Sequence, residues 1–106
     1  MVDIVFFRAA ALAFPGTNEE PHFEKWSFRF KGKIFATWWE KENRAMVKLS
    51  PEDQSVFCAL DGKSFSPVPG TWGQKGATFV DMGKVRKDIF KDALQLAYEG
   101  VAMKKK

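Results

Sequence analysis

Cysteine and histidine each occur once in these 106 residues, as Cys58 and His22. A lone cysteine rules out an intramolecular disulfide framework and fits a reducing compartment such as the cytoplasm. One histidine and one distant cysteine fall short of the three or four ligands that a metal centre needs. The run Glu19-Glu20-Pro21-His22 therefore reads as a loop fixed by hydrogen bonds rather than as a metal site. The same scarcity deprives His-based dyads and triads of their base, and Cys58 has no histidine at a motif spacing. Neither catalysis nor a cofactor is expected. A P-loop is missing as well, because Gly32-Lys33 and the glycines at 70, 73 and 76 do not form G-x-x-x-x-G-K-S/T between a strand and a helix. No apolar run reaches membrane-spanning length. Val2–Leu12 imitates a signal peptide, but Asp3 stands where a positive charge belongs and Arg8 interrupts the run. The expectation is a cytoplasmic protein with no membrane partner.

Aromatic residues are abundant instead. Eleven phenylalanines and four tryptophans help raise the apolar share to 45%, which places the chain among globular proteins. Residues 1–106 read as one domain with room for a core, ending in the basic tail Lys104–Lys106. The formal charge of +4 is unevenly spread. Residues 31–49 hold five basic and two acidic residues, and residues 84–106 hold seven and three, while the rest is slightly acidic. Basic character is thus confined to a central hairpin region and the last helix, with three of its charges in the tail.

The stretch Trp26–Leu49 organises the chain. It alternates as three antiparallel strands joined by tight turns at Lys31-Gly32 and at Lys41-Glu42-Asn43. A loop of Phe30, Lys31 and Gly32, with glycine where φ must be positive, pairs Arg29 with Lys33 and Phe28 with Ile34. A loop Glu40–Asn43 pairs Trp39 with Arg44 and Trp38 with Ala45. One face then holds Trp26, Phe28, Ile34, Ala36, Trp38, Ala45, Val47 and Leu49, all apolar and expected in the core. The other holds Ser27, Arg29, Lys33, Phe35, Thr37, Trp39, Arg44, Met46 and Lys48. A two-residue Lys31-Gly32 turn would bring Arg29 beside Ile34 on the apolar face, so face consistency selects the longer loop.

Around this hairpin unit, Asp3 caps a first helix that ends at Pro15-Gly16, and the polar, acidic Thr17–Lys25 reads as loop. Ser50-Pro51-Glu52-Asp53 starts a second helix: serine caps, proline takes the first helical position, and the carboxylates meet the positive end of the dipole. Val56, Phe57, Ala59 and Leu60 are expected inward, with Cys58 a small filler and Gly62 the stop. Lys63–Pro67 and Ala77–Met82 read as strands flanking a glycine-rich loop, Val68–Gly76. Val85–Met103 is a last helix with Ile89, Phe90, Ala93, Leu94, Ala97 and Val101 on one stripe. The order α-β(3)-α-β(2)-α gives an α+β, two-layer domain, a single antiparallel sheet with helices packed on one side.

Two places are candidates for binding. The mixed face, with Arg29, Lys33, Phe35, Trp39, Arg44 and Lys48, combines cations that neutralise phosphates with rings that stack on bases. In the alternative, Phe35 and Trp39 pack beneath a loop or a dimer partner and the cations rim them. The loop Gly70–Gly76 carries Trp72, Gln74 and Lys75 and is a candidate for a flexible wing that touches a partner.

Several short stretches follow one another along the chain: Phe14-Pro15-Gly16-Thr17 with nearby His22, Ser27-Phe28-Arg29-Phe30, and Gly32-Lys33-Ile34-Phe35-Ala36. Val47-Lys48-Leu49-Ser50-Pro51-Glu52 comes next, then Phe65 with Pro67, Pro69 and Gly70. Gly73-x-Lys75-Gly76 and Ala97-Tyr98 with Val101-Ala102 complete the set. In this order they resemble the MmcQ/YjbR family of small bacterial proteins. One departure is Ala77, where many members have tryptophan; Trp72 is the candidate to cover part of the lost volume. The resemblance implies the same α-β(3)-α-β(2)-α architecture, similar to that of type III secretion chaperones. It also implies a DNA-binding "double wing", with the Lys31-Gly32-Lys33 hairpin and the Gly70–Gly76 loop as wings. The expectation is a non-enzymatic module that touches DNA, with little sequence preference, through Arg29, Lys31, Lys33, Arg44, Lys48 and Lys75. Phe35, Trp39 and Trp72 are its expected aromatic contacts. The alternative is a protein-interaction or chaperone-like adaptor, a homodimer or the partner of another protein, using the Phe35/Trp39 face.

Overall fold

Capping and turn chemistry set most element boundaries. The computed structural model describes residues 2–22 and 25–102, so the expected basic tail Lys104–Lys106 lies outside the described residues. The elements in chain order are α1 (Ile4–Leu12), β1 (Thr17–His22), β2 (Lys25–Phe30), β3 (Lys33–Trp39), β4 (Arg44–Lys48) and α2 (Pro51–Leu60). They continue with β5 (Phe65–Pro67), the single turn α3 (Thr71–Gln74), β6 (Ala77–Asp81) and α4 (Lys87–Ala102). The Asp3 carboxylate accepts from the Phe6 amide at 2.9 Å, and the Ser50 hydroxyl oxygen accepts from the Asp53 amide at 3.1 Å, so both expected caps are formed. The strands make one antiparallel sheet in the order β1-β2-β3-β4-β6-β5. Among the described residues no helix is long and apolar enough to cross a membrane.

This is the expected α+β architecture with two additions, β1 and α3. Thr17–His22, expected as loop, is an edge strand paired only with β2. An edge strand tolerates Pro21 and a polar sequence, because one side of its backbone needs no partner strand. Side chains hold it down: Arg8 of α1 grips Glu19 with two hydrogen bonds of 2.7 and 2.9 Å, and the Ser27 hydroxyl donates to the Glu20 carbonyl at 2.8 Å.

Phe7, Ala11, Phe57, Phe90, Ala93, Leu94 and Ala97 from α1, α2 and α4 meet Phe28, Ala36, Ala45, Val47 and Val80 of the sheet in one core. The Phe7 ring lies 4.8 Å from Phe28 and 5.0 Å from Phe90, which ties α1 and α4 to β2. The α4 stripe is as its periodicity predicts. The α2 stripe is not: only Phe57 is buried and Cys58 half-buried, while Val56 is 61% and Leu60 62% exposed. That helix covers the short edge strand β5, and one ring, Phe57 at 5.2 Å from Phe65, fills the available depth. Burial also pushes the Cys58 thiol up, which keeps it protonated and poorly nucleophilic.

The second hairpin has the expected register, with Trp39 opposite Arg44 and Trp38 opposite Ala45. The first does not. Lys31 at φ 50° and Gly32 at φ 84° form a two-residue turn, so Phe30 faces Lys33 and Arg29 faces Ile34. A bulge then inserts one residue into β3, and the next pair is Phe28 with Ala36. The bulge restores the parity that the short turn lost. Ile34 consequently leaves the core face for the open face, and Phe35 takes its place beneath the helices, fully buried.

Candidate functional site

The sheet face turned away from α1, α2 and α4 carries its own small apolar cluster, Met46, Ala77 and Phe79, with Trp39 and Val68 against it. Strand alternation from β4 and β6 puts those residues there, and the ladder aligns Met46 with Phe79. Trp39 is the hub. Its ring meets Phe79 edge-on at 4.9 Å, and its indole N–H donates to the Thr37 hydroxyl at 2.8 Å. The Lys25 ammonium sits 4.3 Å above the Trp39 ring. Arg44 stacks its guanidinium 3.7 Å from the Phe79 ring centre and 5.1 Å from that of Trp39. Such contacts contribute roughly 0.5–1 kcal/mol each at exposed sites and fix where the cations stand.

Beside Trp39 the face is concave. A groove of about 250 Å³ is floored by Ile34, Thr37 and Met46, with Lys25, His22, Lys48 and Trp72 around it. A second hollow of about 210 Å³ adjoins it, bounded by Lys48, Trp72, Lys75 and Ala77. The two share Lys48 and Trp72, so Trp72 stands between them, 64% exposed. Trp72 and Ala77 border the second hollow together.

The expected site residues divide into three groups. Trp39, Arg44, Lys48, Trp72 and Lys75 gather at this face as expected, although Arg44 is engaged by two rings. Arg29 also points to it but is occupied: its Nε donates to the Ser27 hydroxyl at 2.9 Å, and a terminal nitrogen lies 3.8 Å from Glu20. Lys31 is exposed at the turn tip, and Lys33 lies beside Leu49, Asp53 and Leu96 at the mouth of a different cavity, next to α2 and α4. Phe35 is a correction. Its ring sits 6.3 Å from Phe14 and 5.7 Å from Tyr98 on the helix side, because the β3 bulge turned it there. Lys25 and Ile34 are groove residues that sequence reading missed, the first because β2 begins in a stretch read as loop.

The loop carrying Trp72 is seated, not free. A Cβ on Gly73 would lie 1.6 Å from the Val68 carbonyl oxygen, so only glycine permits that approach. From α2, the Gln54 side-chain amide donates to the carbonyls of Gly73 at 3.0 Å and Ala77 at 2.9 Å, and lies 3.2 Å from the Thr78 hydroxyl. Gln54→Ala should therefore lower stability by about 1–3 kcal/mol, the cost of stranding half-buried acceptors, read as a lower urea midpoint. The expected wing is thus anchored at its base to Val68, α2 and β6.

The YjbR family model matches residues 12–100. The chain belongs to the YjbR family. Within this YjbR-family chain the match spans β1 to most of α4 and includes every residue of the groove. No curated protein is matched. Among solved structures, the crystal structure of Deinococcus radiodurans protein DR2400, with the domain DUF419, is similar with a TM-score of 0.84. It is 19% identical, and the likeness covers 98% of this chain and 81% of that one. At that identity the likeness is one of fold.

Proposed function

We propose that this YjbR-family protein is a non-enzymatic cytoplasmic binding module that holds DNA against the open face of its sheet. One observation supports the reading above others: cations and aromatic rings share one uncovered face, with Lys25 over Trp39 and Lys48 beside Trp72 around one groove. Lysines there neutralise phosphates, and rings offer stacking surface to bases. Contacts directed at phosphates carry little sequence information, so low specificity is expected. The test is a titration of fluorescently labelled DNA at low and moderate salt, with and without Lys104–Lys106. Binding that weakens with salt and survives removal of the tail supports the reading, and Lys48→Ala or Lys75→Ala should each reduce the log–log salt slope by about 1. No binding at low salt overturns it.

A protein-interaction or chaperone-like role is the second reading, favoured by the apolar floor of the groove, Ile34 and Met46. It keeps Trp39 but loses Phe35, which faces the helices. A polypeptide held by that floor would stay bound as salt rises, opposite to the behaviour of phosphate contacts.

A further inference from the structure

Resting on the DNA reading, we infer that the ligand is single-stranded, and that Trp72 divides two successive bases between the groove and the hollow beside Ala77. Each cavity lies below the roughly 300–1,000 Å³ of ordinary ligand pockets, at about 250 and 210 Å³, which suits one flat ring system. A duplex keeps its bases stacked inside and presents phosphate ridges. Phosphates gain nothing from a floor of Ile34 and Met46, whereas an unpaired base buries its faces there.

Trp72 is placed for that role. It borders both cavities, is 64% exposed, and rides on a turn that Gly73 and Gln54 fix against Val68 and β6. A large ring held in water on a hydrogen-bonded support offers a preorganised stacking surface. The charge pattern agrees. Lys25, Lys48 and Lys75 line the two cavities, Lys25 also standing over the Trp39 ring, whereas Arg29 and Arg44 line neither. Three lysines match the few phosphates that join two or three nucleotides. They also set a shallow salt dependence, with a log–log slope of about −2 for a single strand. A duplex gripped by all six basic residues expected from the sequence would give about −5.

The experiment compares a labelled single-stranded DNA 12-mer of mixed sequence with the same strand annealed to its complement, using anisotropy and tryptophan quenching. The single strand should bind at least about tenfold tighter, with quenching, and Trp72→Ala should weaken it by about tenfold while Trp72→Phe retains most of the affinity. Unchanged circular dichroism of both exposed-site variants separates lost stacking from lost fold. Duplex bound as tightly as the single strand, or affinity indifferent to Trp72→Ala, overturns the inference and leaves the DNA reading standing. Failure of both nucleic acids to bind at low salt overturns the DNA reading itself.

Discussion

Phe35→Ala should destabilise the protein by about 3–5 kcal/mol, seen as a large fall in the urea midpoint with no change in slope. The ring has no solvent exposure and closes a cluster with Phe14 and Tyr98. Tyr98 in turn stacks on Phe14 at 4.5 Å, meets Phe30 edge-on at 5.6 Å and donates its hydroxyl to the Pro15 carbonyl at 2.8 Å. Truncating Phe35 therefore opens a cavity where the α1–β1 connection, the first hairpin and α4 converge. Domains of this size hold about 5–15 kcal/mol in total, so the variant loses a large fraction of its stability. Phe35→Leu, which keeps most of the volume, should cost under about 1.5 kcal/mol. The opposite placement makes the opposite prediction: on the open face, Phe35→Ala would shift stability by no more than about 0.5 kcal/mol and would instead weaken binding. The two placements are thus separated by a denaturation curve alone.

The reason that Phe35 is misplaced by sequence reading is specific. Strand alternation and hairpin geometry are local rules, and where the ladder is regular they succeed: Trp39 opposite Arg44, the capped start of α2 and the α4 stripe all follow from them. At the first hairpin two local rules conflict, because Lys31-Gly32 favours a two-residue turn and the apolar alternation of Phe28, Ile34 and Ala36 forbids it in an unbroken ladder. Lengthening the loop resolves the conflict on paper. The molecule resolves it with a bulge, which costs one unpaired residue and buries a phenylalanine in place of an isoleucine. The polar edge strand β1 has no apolar alternation, and the side-chain bonds from Arg8, Thr17 and Ser27 that add to its pairing with β2 have no sequence period.

The candidate site was legible to the same degree. Alternation placed Trp39, Arg44 and Lys48 on one face, and composition marked Trp72. What one dimension conceals is which cations are already spoken for. Arg29 has Ser27 and Glu20 within reach, and Arg44 has Phe79 and Trp39, so the expected basic face retains fewer charges for a ligand than its sequence contains. Lys25, from the edge of the acidic segment, adds a charge at the groove itself, over the Trp39 ring.

Gly76→Ala should cost about 2–5 kcal/mol, and the comparison with Gly32→Ala identifies why. Both residues have positive φ, +112° at Gly76 and +84° at Gly32, so each alanine carries a backbone penalty of about 1–2 kcal/mol. At Gly32 nothing lies within 4 Å of the added carbon, and the penalty ends there. At Gly76 the added carbon would stand 1.8 Å from the Leu49 carbonyl oxygen and 3.0 Å from the Ser50 carbonyl carbon. Backbone must then move, and an overpacking cost of about 1–3 kcal/mol is added. That backbone cannot yield cheaply: Leu49 is buried and donates its amide to the Gly76 carbonyl at 3.2 Å, and Ser50 caps α2. The Gly76 amide is bonded to the Gly73 carbonyl at 3.0 Å, so displacement propagates into the turn that carries Trp72. In a freely moving wing the two alanines would cost the same, the backbone penalty alone. A seated platform makes Gly76→Ala about twice as costly as Gly32→Ala in urea denaturation and, at temperatures where both variants remain folded, couples that loss to weaker stacking on Trp72.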